Sequence, residues 1–213
     1  MNPAELAPLL DGPVVVTIDL HRGHLDPEVA TLPLAPEASA ALLERVVPAL
    51  DGFRAAGIPV VHVVTYYRTA DEVLSNPYWA AQWGRPDSVR REIAIHNVGD
   101  VPGLELMPGV YAEGDHVVRT KKRYDCFVGT DLEVTLRTLG CGTLLVSGVN
   151  TNSCVLATTV SASVKDFGVV VMEDLVDSMM GPDLHRAALD ILAGSFAFVA
   201  TSDDVLAAVG APV

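Results

Sequence analysis

Six short apolar runs punctuate the chain: V-V-V-T-I at 14–18, I-P-V-V-H-V-V at 58–64, H-V-V-R-T at 116–120, T-L-L-V-S at 143–147, V-V-V-M at 169–172 and F-A-F-V-A at 196–200. They are continuous rather than alternating, the pattern of strands buried on both faces. Helix-like stretches fall between them, at roughly 36–56, 130–139, 152–166, 183–194 and 202–209. Strand alternating with helix predicts right-handed crossovers and parallel pairing. The expected fold class is α/β: a three-layer α/β/α sandwich around a mostly parallel, roughly six-stranded, Rossmann-like sheet, as one domain over 1–213. Local punctuation agrees, since Pro36-Glu37 opens the first long helix, Thr130-Asp131 caps another, and Gly57 and Gly168 stop helices before strands. The segment 68–114 breaks the pattern, being rich in Pro, Gly and Asp with Tyr78, Trp79 and Trp83 close together. It predicts a long irregular insertion, of the kind usually kept for function.

Composition narrows the partners. With 213 residues, half of them hydrophobic, the chain can build one well-buried core. A formal net charge of −13 repels phosphate backbones and anionic lipid headgroups, which disfavours nucleic-acid and membrane partners and leaves a small molecule as the expected ligand. The one basic cluster, Lys121-Lys122-Arg123, is too short to track a duplex. No apolar run approaches the ~20 residues of a membrane span, and the opening M-N-P-A-E-L lacks a basic region followed by an apolar stretch, so a cytoplasmic location is expected. The three cysteines, Cys126, Cys141 and Cys154, form neither an even set nor a C-x-x-C pair, which suggests neither a disulfide framework nor a zinc cage.

Open parallel sheets place ligands beyond the carboxyl ends of their strands, and three such ends carry chemistry. Asp19 follows the first run, where a carboxylate is costly unless paired or used; the alternative is a turn former or helix cap. Lys121 follows the third run and is either an electrostatic partner for a thiol and a carboxylate or a solvated surface residue. Cys154 follows the fourth run in S-G-V-N-T-N-S-C-V and would sit in the first turn of a helix. There the helix dipole and free N–H groups are expected to lower its pKa toward neutrality and to bind an oxyanion; the alternative is a small core residue. An acid, a cation and a thiol at one sheet edge are less easily accidental than any one of them.

With these residues in view, the chain resembles the isochorismatase-like cysteine hydrolases over nearly its whole length. The strand ending in I-D matches the family's aspartate motif at Asp19, K-K-R-Y-D-C-F its lysine motif with Lys121 six positions before Phe127, and G-V-N-T-N-S-C-V its nucleophile motif. The resemblance implies an Asp19, Lys121 and Cys154 triad and an oxyanion hole made by the N–H groups of Asn150 and Cys154. It implies a cis Val149–Asn150 peptide, thioester chemistry on a C–N bond of a small carboxamide, ureide or lactam, no organic cofactor, and a homodimer or homotetramer. The alternatives are a non-catalytic binding or scaffold member of the same fold, or a hydrolase of another bond type in the superfamily.

Two departures bear on the substrate. Where the family often continues its aspartate motif with a Gln and an Asp-Phe pair, this chain reads His21, Gly23, His24 and Leu25. Where nicotinamidases carry a metal-binding Asp-x-His, it reads Tyr66-Tyr67-Arg68, so no metal is expected. His21 and His24 have an acceptable ligand spacing, but no carboxylate or cysteine completes a set, and substrate hydrogen bonding is the preferred role. Arg68 is a candidate carboxylate clamp, with Tyr66, Tyr67, Phe127, Trp79 and Trp83 as candidate walls; the two Trp could equally pack a subunit interface. His62, inside an apolar run, is read as a satisfied core histidine, and His96, His116 and His185 show no pattern.

Overall fold

The computed structural model describes residues 2–210. The six predicted runs become β1 (Pro13–Ile18), β2 (Val60–Thr65), β3 (His116–Lys121), β4 (Thr143–Val149), β5 (Gly168–Asp177) and β6 (Phe198–Ala200). All pairings are parallel, in the order β3-β2-β1-β4-β5-β6. The continuous apolar runs follow from burial on both faces. Along β1, Val14, Val16 and Ile18 join one core cluster while Val15 joins the other; β5 divides in the same way, with Val169 and Val171 against Val170 and Met172.

Each face is covered by helices the pattern predicts. The first cluster takes Leu132 and Leu136 from the Leu132–Thr138 helix, Ala162 from Leu156–Val164, and Leu189 and Leu192 from Pro182–Ser195. The second takes Leu42, Val46, Leu50 and Phe53 from Pro36–Ala55, with Val205 and Ala208 from Ser202–Val209. The spacing of 42, 46, 50 and 53 forms one helical stripe, and each of those side chains is fully buried. Each contributes about 1.5–3 kcal/mol of hydrophobic stabilisation. Two layers of helix around one sheet give the expected sandwich.

The insertion is more regular than its composition suggests. It holds the short helices Ala70–Leu74 and Pro77–Gln82 and the single turns Ile93–Ile95 and Pro102–Leu104. Asn76 caps the second helix through Oδ1, which accepts from the N–H groups of Tyr78 and Trp79. The segment has its own apolar cluster of Leu32, Tyr67, Val73, Trp79 and Ile93. The two tryptophans therefore part company: Trp79 is buried and Trp83 is exposed.

The chain order reverses between β1 and β4, and at that switch point the two strands are pressed together at their carboxyl ends. Gly148 has φ +115°, and a Cβ there would lie 2.0 Å from the Ile18 carbonyl oxygen. Gly148→Ala is expected to destabilise the protein by about 3 kcal/mol or more, through backbone strain and forced separation of β1 from β4. The check is a urea unfolding midpoint against the parent protein; an unchanged midpoint would show that the strands yield without cost.

Candidate active site at the switch point of the sheet

Asp19 leaves β1 in the left-handed region, φ +54°, with its N–H donating to the Val63 carbonyl at 2.9 Å. A non-glycine residue there carries strain that its surroundings must hold, and they hold it by saturating the carboxylate. Oδ1 accepts from the Thr65 N–H at 2.9 Å and the Thr65 hydroxyl at 2.8 Å, and Oδ2 accepts from Lys121 Nζ at 2.5 Å. His21 Nε2 stands 3.3 Å from Oδ1. Full burial opposes ionisation, but the Lys121 charge and the His21 contact outweigh it and hold the carboxyl well below the usual range.

Lys121, at the end of β3, is equally buried. Its three ammonium protons have three acceptors: Asp19 Oδ2, Thr65 Oγ1 at 2.6 Å and Cys154 Sγ at 3.4 Å. Burial disfavours its charge, yet Asp19 and the thiol raise its pKa well above the ordinary value. Thr65 is the hinge of this group, since its hydroxyl donates to Asp19 and accepts from Lys121. It lies at the end of β2, where the β2–β3 register shifts between Val63 and Thr65. In the sequence only the place of Thr65 at a strand end, beside Tyr66, signals this role.

Cys154 sits in a π-helical turn, Thr151–Val155, between β4 and the Leu156–Val164 helix. The expectation of a thiol lowered toward neutrality is corrected: burial pushes it up to about 11, and the Lys121 charge only partly offsets this beside the Asp19 anion. Removal from water outweighs a helix-end effect that is strongest for partly exposed groups. The Val149–Asn150 peptide is cis, in agreement with the resemblance.

Asp19, Lys121, Asn150 and Cys154 line one cavity. Its walls differ from the candidates named on sequence. Tyr66, Arg68 and Phe127 do not line it. Tyr66 packs under Lys122, Arg68 is exposed and paired with Glu72, and Phe127 stacks on Phe167 in the core. Tyr67 and Trp79 do line it, together with Arg90, Arg123 and Tyr124. Tyr124 Oη joins two of these walls, accepting from Trp79 Nε1 and Arg90 Nε, each at 2.9 Å. Among the described residues neither Arg90 nor Arg123 has a carboxylate within ion-pair distance.

The histidines are also rearranged. His62 is satisfied in the core as expected, its Nδ1 2.7 Å from Thr17 Oγ1 and its Nε2 3.0 Å from Asp115 Oδ2. His24 lines the cavity, whereas His21 lies behind it with no exposure. A third buried ring, His96 from the insertion, packs against both, with ring centroids 4.6 Å from His24 and 5.8 Å from His21. Burial lowers His24 to about 4 and holds His96 well below the usual histidine range. Nothing in the sequence around His96 marks it; only the path of the insertion brings it here.

A doubly wound parallel sheet with an acid, an ammonium and a thiol at its switch point defines the class, an α/β protein with polar groups gathered in the crevice where such sheets receive ligands. The Isochorismatase domain matches residues 13–204, and the chain belongs to that family. It is 28% identical to a ureidoacrylate amidohydrolase of Methylobacterium radiotolerans, over 80% of this chain and 68% of that one. It is 25% identical to a maleamate amidohydrolase of Pseudomonas putida, over 91% of this chain and 85% of that one. A cysteine hydrolase structure from Pseudomonas syringae pv. phaseolicola superposes with a TM-score of 0.80 at 21% identity, covering 98% of this chain and 94% of that one, a likeness of fold.

Lys121→Met leaves the buried Asp19 carboxylate without its cation and is expected to cost about 3–5 kcal/mol at pH 7. In the parent protein the depressed Asp19 pKa contributes stability above the unfolded value, about 3.9, and loses it as pH falls through the folded value. In the variant the lone carboxylate titrates above the unfolded value, so its penalty is present at pH 7 and fades as pH falls toward 4. Urea unfolding at both pH values is expected to show the gap between parent and variant narrowing at the lower one; a constant gap would count against this account of the pair.

Proposed function

We propose that the chain is a cysteine-dependent amidohydrolase that cleaves a C–N bond of a small amide or ureide carrying a carboxylate. The observation that carries this reading is one ammonium, Lys121, touching both the Asp19 carboxylate and the Cys154 thiol at the wall of a cavity. In the proposed reaction Asp19 accepts the Sγ proton as Sγ attacks the carbonyl carbon, and the carbonyl electron pair moves to oxygen. The N–H groups of Asn150 and Cys154, residues that both line the cavity, are assigned to that oxygen. The proton then passes from Asp19 to the leaving nitrogen, the C–N bond breaks, and a thioester remains. Asp19 next takes a proton from water, whose oxygen attacks the thioester; the acid leaves and the thiol is reprotonated.

The resting protonation states favour this order. A thiol near 11 beside a carboxylate far below its ordinary range keeps its proton until attack, so deprotonation accompanies bond formation rather than preceding it. Lys121, 3.4 Å from Sγ, then stabilises the sulfur as charge develops. Support for an anionic substrate is the pair Arg90 and Arg123, cavity-lining guanidiniums without carboxylate partners among the described residues, in a chain of net charge −13. Relatives named for ureidoacrylate and maleamate point the same way.

An ammonia-release assay over maleamate, ureidoacrylate and neutral amides of similar size tests the reading. Cys154→Ala is expected to remove turnover by at least about a thousandfold while keeping the parent fold by circular dichroism. A purified variant retaining a tenth of the parent rate would end the nucleophile assignment. Arg90→Met is expected to raise KM for anionic amides about tenfold or more and to leave neutral amides nearly unchanged. An equal effect on both would assign Arg90 to packing.

A further inference from the structure

We propose that His21, His24 and His96 form a binding site for one divalent transition-metal ion of zinc's class, with an open coordination position toward the cavity that Cys154 lines. One ring nitrogen of each lies within 4.8 Å of the others, and all three side chains are at least nine-tenths buried. Two ring nitrogens of the cluster, His21 Nδ1 and His96 Nε2, are buried with no hydrogen-bond partner. Orphaned polar atoms of that kind are costly in a protein interior, and two in one cluster facing a third ring point to a ligand.

The other ring nitrogens are held as those of ligating histidines usually are, by a carboxylate, a carbonyl or a hydroxyl. His24 Nδ1 stands 2.7 Å from the Leu32 carbonyl, which only accepts, so Nδ1 carries the proton and Nε2 presents a lone pair. His96 Nδ1 is 2.8 Å from Thr31 Oγ1, which leaves Nε2 for the metal. His21 Nε2 is 3.3 Å from the ionised Asp19 carboxylate, which draws the proton to Nε2 and frees Nδ1. Asn97 Nδ2 approaches the same nitrogen at 3.3 Å but also donates to the Thr65 carbonyl at 2.9 Å.

The sequence reading stopped at two histidines because no acid or thiol completed the set. The insertion supplies the third, and this set is distinct from the Asp-x-His pair, whose place is taken by Tyr66-Tyr67-Arg68. Three imidazoles without thiolate suit zinc and its neighbours rather than calcium or magnesium, which prefer oxygen. Metal–nitrogen distances near 2.1 Å require nitrogens no more than about 4.2 Å apart, close to the spacing the cluster already allows. His24 and His96 line the cavity and His21 does not, so the open position faces the cavity and accepts water or a donor atom of a bound molecule.

Chelator-stripped, dialysed full-length protein titrated with zinc chloride by calorimetry tests the proposal, whatever the role of Cys154. One equivalent per chain with micromolar or tighter affinity is expected, weakened at least about tenfold in His24→Gln and in His96→Gln. Cys154→Ala and the remote His116→Gln are expected to bind as the parent does. Cobalt(II) is expected to give a visible d–d spectrum without a sulfur-to-metal charge-transfer band. The two histidine variants are chosen so that if one fails to fold the other still decides. Absent stoichiometric binding, affinity unchanged in a folded histidine variant, or binding lost in Cys154→Ala would each overturn the site.

Discussion

The buried contact between Asp19 and Lys121 sets the terms for everything around it. Taking either charge out of water costs several kcal/mol, and the pair offsets that cost only when every remaining lone pair and proton is also satisfied. Thr65 completes the set with its N–H and hydroxyl, and Cys154 takes the last ammonium proton. The ends of β1, β2 and β3 and the turn after β4 must therefore converge on one point. The parallel sheet supplies that convergence, and its reversal between β1 and β4 opens the crevice where the thiol can be reached. The backbone conforms to the pair in turn: Asp19 accepts a left-handed φ, the β2–β3 register shifts beside Thr65, and Gly148 lets β4 approach Ile18.

The fold and the three groups proposed to react were legible in the sequence for one reason. Strands buried on both faces are written as continuous apolar runs, so the residues just past their ends can be named without knowing the structure. Asp19, Lys121 and Cys154 are such residues, and each lies on the cavity. The walls were legible only in part, Tyr67 and Trp79 being named while Arg90, Arg123 and Tyr124 were not, because neighbours in sequence alternate in direction near a strand. Tyr67 faces the cavity while Tyr66, one residue earlier, turns to Lys122, and Arg68 turns to solvent and Glu72. Phe127 was named for its place in a motif, yet it belongs to the apolar core beside Phe167. The expected low thiol pKa failed differently. A helix-end argument reads local backbone, whereas the dominant effect is removal from water, which no local pattern reports.

His96 and Arg90 escaped notice for a further reason, and the place of Trp79, named as either a wall or a subunit contact, was open for the same one. All three come from the insertion, whose composition reads as loop and whose position is fixed by tertiary contacts. Trp79 and Arg90 meet at the Tyr124 hydroxyl, and Asn97 ties the segment to the Thr65 carbonyl. The side of the cavity that carries the acid, the ammonium and the thiol is therefore made by strand ends, and much of the opposite wall by one segment between β2 and β3.

That division bears on what likeness between family members conveys. A shared fold fixes where strand ends converge and leaves the walls to the segments between them, so likeness of fold alone does not convey what such a cavity receives. In this chain the cavity residues include the cations Lys121, Arg90 and Arg123 against the single carboxylate of Asp19, although the whole chain carries −13. Arg90 donates to the Tyr124 hydroxyl and Arg123 to the Glu72 and Lys122 carbonyls and the Ser75 hydroxyl, so both are anchored, yet among the described residues neither meets a carboxylate although acidic side chains are abundant elsewhere. Their arrangement is explained if the missing counter-charge arrives with the molecule that the cavity receives.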